Sequence, residues 1–493
     1  MAKWYNKNMA INKQNLNKIS EYLWEIPKNF RDDMKVPARI YASEKLLEAI
    51  LTDRSLEQAI NVATLPGIQK YALAMPDIHQ GYGFPIGGVA ATEIERGVIS
   101  PGGIGYDINC GVRALKSEMT YPEIKPHLEE LANQLQRDVP SGLGRGGKIL
   151  AKGKELDNYL AKGAVYAVQK GYGQKEDLER TEEQGCFSAA ISENVSDKAK
   201  QRGKDQLGTL GSGNHFLEIE KVEQIFNKEL AEELGLFLDQ IVVMIHTGSR
   251  GLGHQVCTDY LRIFYSKLKN YGFRLPDPEL IYVPFKSEEG QKYFSAMAAA
   301  ANYAWANRQV LMHLVREVFR EVLKSKKLKY DLELIYDVAH NIAKVEEHEI
   351  DGKKIKVCVH RKGATRAFPP SHPEIASLYQ KTGQPVLIPG NMGTASYILV
   401  GTASAMKNTF GSVCHGAGRV MSRIRAKRSI RGADLKIELE RRGILIRSDS
   451  MSGLAEEAPA AYKDIDEVVK VVSKEGLAQK VARLVPVAVI KGT

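Results

Sequence analysis

The chain has 493 residues, 43% hydrophobic and 26% charged, and carries a formal charge of +10 from 69 Lys and Arg against 59 Asp and Glu. This is ordinary globular composition, long enough for one large domain or two to three of common size, and it excludes a mostly disordered chain. The basic surplus favours polyanionic partners, nucleic acid first, although a surplus of this size also serves plain solubility.

The first residues, Met1 to Lys7, are polar and have no apolar signal core, so a secretory route is not expected. Residues 1–35 read as a peripheral, Asn- and Lys-rich segment. From Ser43 to Ala63 a helix is predicted, with Ser43 as cap and Leu46, Leu47, Ile50 and Leu51 on one face. Another is expected near Thr120-Tyr121-Pro122-Glu123, and a third from Gly290 through Lys324 with a wide apolar stripe including Val310, Leu314, Phe319 and Val322. Short β-rich runs fall at Ile241–Ile245, Leu332–Ala339, Ile355–Val359, Pro385–Ile388, Ile444–Ile446 and Val485–Ile490. None of the apolar runs approaches the ~18 residues of a membrane span. Glycine-dense stretches at 81–88, 97–111, 142–147 and 208–213 interrupt this pattern. The five cysteines are scattered with no Cys-x-x-Cys, a reducing-compartment pattern that points to the cytoplasm. The expected architecture is one mixed α/β unit over 1–493, with a helical excursion over 255–325.

Of eleven histidines, five sit in or after apolar runs beside polar or glycine residues: His79, His215, His246, His340 and His415. Such positions suit metal coordination or proton transfer, although each taken singly reads as a core or capping histidine. Asp107-Ile108-Asn109-Cys110 adds a carboxylate and a thiol. A thiolate, a carboxylate and imidazoles suit a borderline transition metal, and a thiolate can bridge two ions. A lone cysteine is otherwise a small buried hydrophobe. Gly208–Asn214 and Pro389–Thr394 look like loops whose amides can face phosphate, or else plain tight turns. In His415-Gly416-Ala417-Gly418-Arg419 a neutral imidazole can attack phosphorus, the glycines leave room, and Arg419 can neutralise phosphate. A helix starting there would add its N-terminal partial charge. Arg419, Arg423, Arg425, Lys427, Arg428 and Arg431 form a basic run, and Lys362 with Arg366 a second basic loop; both read as RNA or phosphate tracks or as solvated faces.

Taken in order, Asp107–Cys110, Gly211–Glu218, His246–Gly251, Val338–Asn341, His360–Arg366, Pro389-Gly390, His415–Arg419 and Val489–Gly492 resemble the RtcB family of RNA ligases. The matches run from about Pro76 to the C-terminus and so cover most of the chain. The resemblance implies a β-sandwich-like core wrapped by helices. It also implies a ligase dependent on GTP and manganese that joins an RNA 3′-phosphate or 2′,3′-cyclic phosphate to a 5′-hydroxyl, as in tRNA splicing and RNA repair. Carried over by position, Asp107, Cys110 and His215 would hold one manganese and Cys110, His246 and His340 a second. His415 would take GMP as a phosphoramidate. Asn214, His215, Phe216, Leu217, Glu218, His340, Asn341, Pro389, Gly390, Asn391, Met392, Ser396, Gly416, Ala417, Gly418, Tyr462 and Lys491 would surround the guanylate, with Glu218 at the guanine edge and Tyr462 against the base. Asn391 stands where the family often has Ser. An archease-type activator is an expected partner. Two other readings of the same residues are a two-metal phosphoesterase acting on RNA ends, with His415 as acid or base, and an RNA-binding protein with a structural metal.

Overall fold

The computed structural model describes residues 11–142 and 146–492. The stretch Met1–Lys7 and part of the 142–147 glycine stretch therefore lie outside the described residues. Two sheets dominate. The seven-stranded sheet runs, in spatial order, Asn17–Lys18, Leu23–Ile26, Ala38–Tyr41, Ala72–His79, Ile86–Glu93, Lys353–Lys362 and Asn341–Ile350. The larger sheet runs Glu333–Ala339, Gly111–Thr120, Gln240–Thr247, Phe216–Ile225, Ala478–Lys491, Ser396–Gly401 and Pro385–Ile388, with Leu445–Ser448 pairing in parallel beside Ala478–Lys491. Val357 and Val359 of the first sheet share a buried cluster with Val386, Ile388 and Leu399 of the second, which makes the core sandwich-like. The fold is mixed α/β, as the sequence implied.

The strand Gln240–Thr247 explains why a continuous apolar run forms the centre of a sheet. Side chains alternate between faces, so Ile241, Val243 and Ile245 enter one buried cluster, and Val242 and Met244 enter another on the opposite face. The first cluster is closed by the helix Glu288–Leu323, through Leu311, Val315, Phe319 and Val322. Ser287 caps that helix by accepting from the Gly290 amide at 3.1 Å. Truncating the fully buried Phe319 to alanine is expected to destabilise the protein by about 3–5 kcal/mol, read as a lowered denaturant midpoint. A midpoint within experimental scatter of wild type would show that this helix is not seated as described.

Residues 1–35 are polar in bulk, yet Trp24 and Ile26 are buried and the segment supplies the edge strand of the seven-stranded sheet and the strand next to it. The predicted Ser43–Ala63 helix is two helices, Glu44–Ile50 and Ser55–Val62. Local side-chain bonds compete at the break: Thr52 donates to the Ala49 carbonyl, and Asp53 accepts from the Ser55 amide at 2.8 Å. The 255–325 stretch contains most of the helix Arg250–Tyr271 and all of Glu288–Leu323. Among the described residues no helix is long and apolar enough to cross a membrane.

Candidate active site

Strand ends bring the distant histidines together. Gly111–Thr120 begins just after Cys110, Gln240–Thr247 ends around His246, Glu333–Ala339 ends just before His340, and Phe216–Ile225 begins just after His215. The first three are neighbours or near neighbours in one sheet, so their ends converge at one edge. Cys110 Sγ lies 3.2 Å from His246 Nε2 and 3.5 Å from His215 Nε2. His246 Nε2 lies 3.2 Å from His340 Nε2, and His215 Nε2 lies 2.9 Å from Asp107 Oδ2. Two candidate ligand sets result, Cys110–His246–His340 and Asp107–Cys110–His215, each with donor atoms within 4.8 Å of one another and sharing the thiol. Gly248 has no side chain to obstruct this: a Cβ there would stand 2.4 Å from the Asp107 carboxylate.

The electrostatics fit a cation. Burial pushes the Cys110 thiol well above its ordinary value, with the Asp107 charge adding to the effect. Burial also pushes His246 and His340 well below theirs, so both imidazoles are neutral and keep lone pairs for a ligand. Two neutral Nε2 atoms and a sulfur aimed at one point are a donor set for a borderline transition metal, whose charge would favour the thiolate. His215 Nδ1 is 3.0 Å from the Leu210 carbonyl, which fixes the proton there and leaves Nε2 to the cluster.

His415 follows the short strand Ser412–Cys414. Its Nδ1 is 2.5 Å from Oδ2 of the fully buried Asp77, and its backbone amide donates to the same oxygen at 3.1 Å. Nδ1 therefore carries the proton and Nε2 is the free nitrogen. The His415 ring stands 5.0 Å from the His340 ring, centroid to centroid. Gly418, at φ +71°, passes so close that a Cβ would lie 2.1 Å from the Asp77 carbonyl oxygen. Asp77 was not singled out in the sequence, where attention fell on His79 two residues on. His79 bonds the Asp77 carbonyl at 2.9 Å and joins neither ligand set.

A cavity of about 690 Å³ opens over these groups. Its walls include Cys110, His246, His340 and His415, then Asn214, Phe216, Asn341, Pro389–Met392, Gly416–Gly418, Tyr462 and Lys491. Leu217, Glu218 and Ser396 are buried behind the wall, and Ser396 accepts from the Gly390 amide at 3.3 Å. Glu218 sits beside Glu220; burial pushes its carboxyl well above the usual range, and the neighbouring carboxylate adds to this. Asn341 is already engaged, donating to the Asp107 carbonyl at 3.1 Å and accepting from the Gly363 amide at 2.8 Å. Asn391 accepts from the Gly393 amide at 3.1 Å, and its Nδ2 has no partner among the described residues. Tyr462 is bonded to Glu457 and to Arg419, whose guanidinium stands 4.9 Å over the ring. Lys463, not singled out before, donates to the carbonyls of Pro76 and Ile78 and holds the Asp77 segment.

Two expectations about basic and phosphate-binding groups change. No helix starts at His415; Ser422 caps a helix over Arg423–Ser429, too far along the chain to lend His415 its dipole. Lys362 and Arg366 are buried, Lys362 on the Tyr82 and Phe84 carbonyls and Arg366 on Glu183 and Gln384, so they are not a surface RNA track. In the 208–213 loop the Thr209 amide donates to Asn307, the Leu210 amide donates to the Pro140 carbonyl and the Leu210 carbonyl faces His215, so these two residues serve the protein's own groups. In the basic run, Arg419, Arg423 and Lys427 pair with Glu456 or Glu457.

An imidazole with one free nitrogen beside paired cation ligands is the equipment of a group-transfer enzyme. A family model described as tRNA-splicing ligase RtcB matches residues 58–492. A tRNA-splicing ligase RtcB of Thermococcus kodakarensis is 58% identical over 477 residues, 97% of this chain and 99% of the relative. Proteins of the same name from Archaeoglobus fulgidus and Methanococcus maripaludis are 54% and 52% identical over 97% of this chain and 99% and 100% of their own. The chain belongs to the RtcB family and is a ligase.

Proposed function

We propose that the chain is an RNA ligase that uses GTP and two manganese ions to join an RNA 3′-phosphate, or a 2′,3′-cyclic phosphate after opening, to a 5′-hydroxyl, with tRNA halves among its substrates. The observation that carries this reading is His415, its Nδ1 held at 2.5 Å by buried Asp77 and its ring beside the ligand His340. Asp107, Cys110 and His215 would hold one manganese, and Cys110, His246 and His340 the other. Bound there, the cations would neutralise phosphate charge as it shifts during transfer.

His415 Nε2 attacks the α-phosphorus of GTP; the N–P bond forms as the bond to the β-phosphate oxygen breaks and pyrophosphate leaves. Asp77 keeps the Nδ1 proton in place and stabilises the cationic ring that results. An oxygen of the RNA 3′-phosphate then displaces His415 from that phosphorus. Last, the 5′-hydroxyl oxygen attacks the RNA phosphorus, GMP leaves, and the hydroxyl proton passes to solvent. Positioning and charge neutralisation carry most of such chemistry. The guanylate would lie among Asn214, Phe216, Pro389–Met392, Gly416–Gly418, Tyr462 and Lys491, which line one cavity. Glu218, buried beside Glu220 behind the cavity wall, is the carboxyl this reading assigns to the guanine edge, and Lys491 is close enough to act on its charge. An archease-type activator belongs to this reading, as does a cytoplasmic setting, which the five free cysteines favour.

The test is incubation with α-labelled GTP and manganese, then denaturing electrophoresis. Acid-labile, base-stable label on the chain is expected, and Cys110→Ala should lose it together with its bound metal. An unlabelled wild-type protein, or label that survives acid, would overturn the reading; full labelling of Cys110→Ala would remove the shared thiol.

A further inference from the structure

Part of the cavity wall takes no role in the guanylate reading: Asp53, Gly81, Tyr82, Gly105, Tyr106 and Lys362 line it as well. We propose that this part of the cavity receives the terminal nucleobase of an RNA end, packed into the corner made by Tyr82 and Tyr106. This rests on the ligase reading and deepens it, because it states where the RNA lies.

Position is the first argument. Tyr106 immediately precedes Asp107 of one ligand set, and it shares the cavity with Cys110 and His415. A base held against Tyr106 therefore leaves its sugar and phosphate beside the cluster. Shape is the second. Both rings are half-buried and meet at 62° with centroids 5.6 Å apart, a corner that offers a planar base a face and an edge at once. His254 lies nearly parallel to Tyr106 at 4.8 Å and backs it. Every base has a π-face, so such a corner binds RNA ends without selecting their sequence.

Rigidity is the third. Lys362 donates to the Tyr82 carbonyl at 2.5 Å and to the Phe84 carbonyl at 3.1 Å. Gln58 and Gly81 exchange two hydrogen bonds, at 2.7 and 2.9 Å, just before Tyr82. Gly83 donates to Glu279 at 3.3 Å just after it. The backbone that carries the ring is thus held before any ligand arrives, and less conformational entropy is left to lose on stacking.

Either RNA end brings the same chemistry, and two strands separate them. One carries an abasic residue at its 3′-phosphate terminus, the other at its 5′-hydroxyl terminus. Binding of each to the wild-type protein with manganese is measured by fluorescence anisotropy against the intact strand, alongside Tyr82→Ala and Tyr82→Phe. The base is expected to matter at one terminus, with a loss on the order of tenfold in affinity for that abasic strand. Tyr82→Ala should show a similar loss on the intact strand and no further loss on the abasic one, while Tyr82→Phe stays near wild type. The terminus that couples to Tyr82 is the occupant. Equal affinity of wild type for intact and abasic strands at both ends would overturn the proposal, and needs no variant to fold. Independent, multiplying effects of the abasic site and Tyr82→Ala would overturn it too. Guanylylation of the wild-type protein reports on the ligase reading separately.

Discussion

Asp77→Asn is expected to fold, to bind manganese as wild type does, and to lose His415 guanylylation by about 10³- to 10⁴-fold in rate, a loss of the size seen when an orienting carboxylate is made neutral in other enzymes. The carboxylate accepts twice, from His415 Nδ1 at 2.5 Å and from the His415 amide at 3.1 Å. An asparagine of the same shape can keep one of these bonds through its oxygen. If its NH₂ turns to Nδ1 instead, the proton moves to Nε2 and the nucleophilic lone pair is gone. Even the correct orientation withdraws the charge that stabilises the imidazolium formed on attack. His415→Ala should remove the label altogether, and single-turnover labelling with α-labelled GTP measures both variants. Wild-type labelling rates in Asp77→Asn would mean that Asp77 only packs against the ring. Label retained in His415→Ala would move the nucleophile elsewhere.

The strands were legible because their residues are β-branched and apolar in short runs, and Ile241–Ile245 and Pro385–Ile388 reappear with little or no extension. The histidines that the fold gathers were legible as candidates because they stand beside turn-forming residues at strand ends, and the resemblance, not their spacing, grouped them with Asp107 and Cys110. Asp77 had no such pattern. It lies within the strand Ala72–His79, and its partner is 338 positions away. Lys362 and Arg366 misled for a related reason. A basic residue reads as exposed unless its compensation is visible, and Arg366 is compensated by Glu182 and Glu183, far off in the chain. The break at Leu51–Arg54 was missed because the apolar period runs on through it, while Thr52 and Asp53 divert the backbone with their own hydrogen bonds.

Arg308 is the strongest case of a residue whose role only the fold discloses. In sequence it is one more arginine on a long helix; in the structure it is fully buried and uses five donors. It donates to both Asp337 oxygens, at 2.7 and 2.8 Å, to the Asn109 carbonyl at 2.8 Å, to Asn109 Oδ1 at 2.9 Å, and to the Thr247 carbonyl at 2.9 Å. Asn109, at φ +51°, is the left-handed residue that turns the chain between Asp107 and Cys110. Thr247 follows His246, and Asp337 lies three residues before His340. One guanidinium thus ties together the three segments that carry Cys110, His246 and His340. Burial alone would raise the Asp337 carboxyl, but Arg308 and Arg113 beside it hold it below the usual range. Arg308→Met should therefore cost about 3–5 kcal/mol of stability, because it leaves Asp337 with only part of its compensation. Arg308→Lys keeps the charge but not the planar fork, so the segments lose their common register. We expect it to fold and to need about 10- to 100-fold more manganese for half-maximal binding, measured by metal titration of the dialysed protein. Unchanged manganese affinity in Arg308→Lys would show that the ligand set holds its geometry without this anchor.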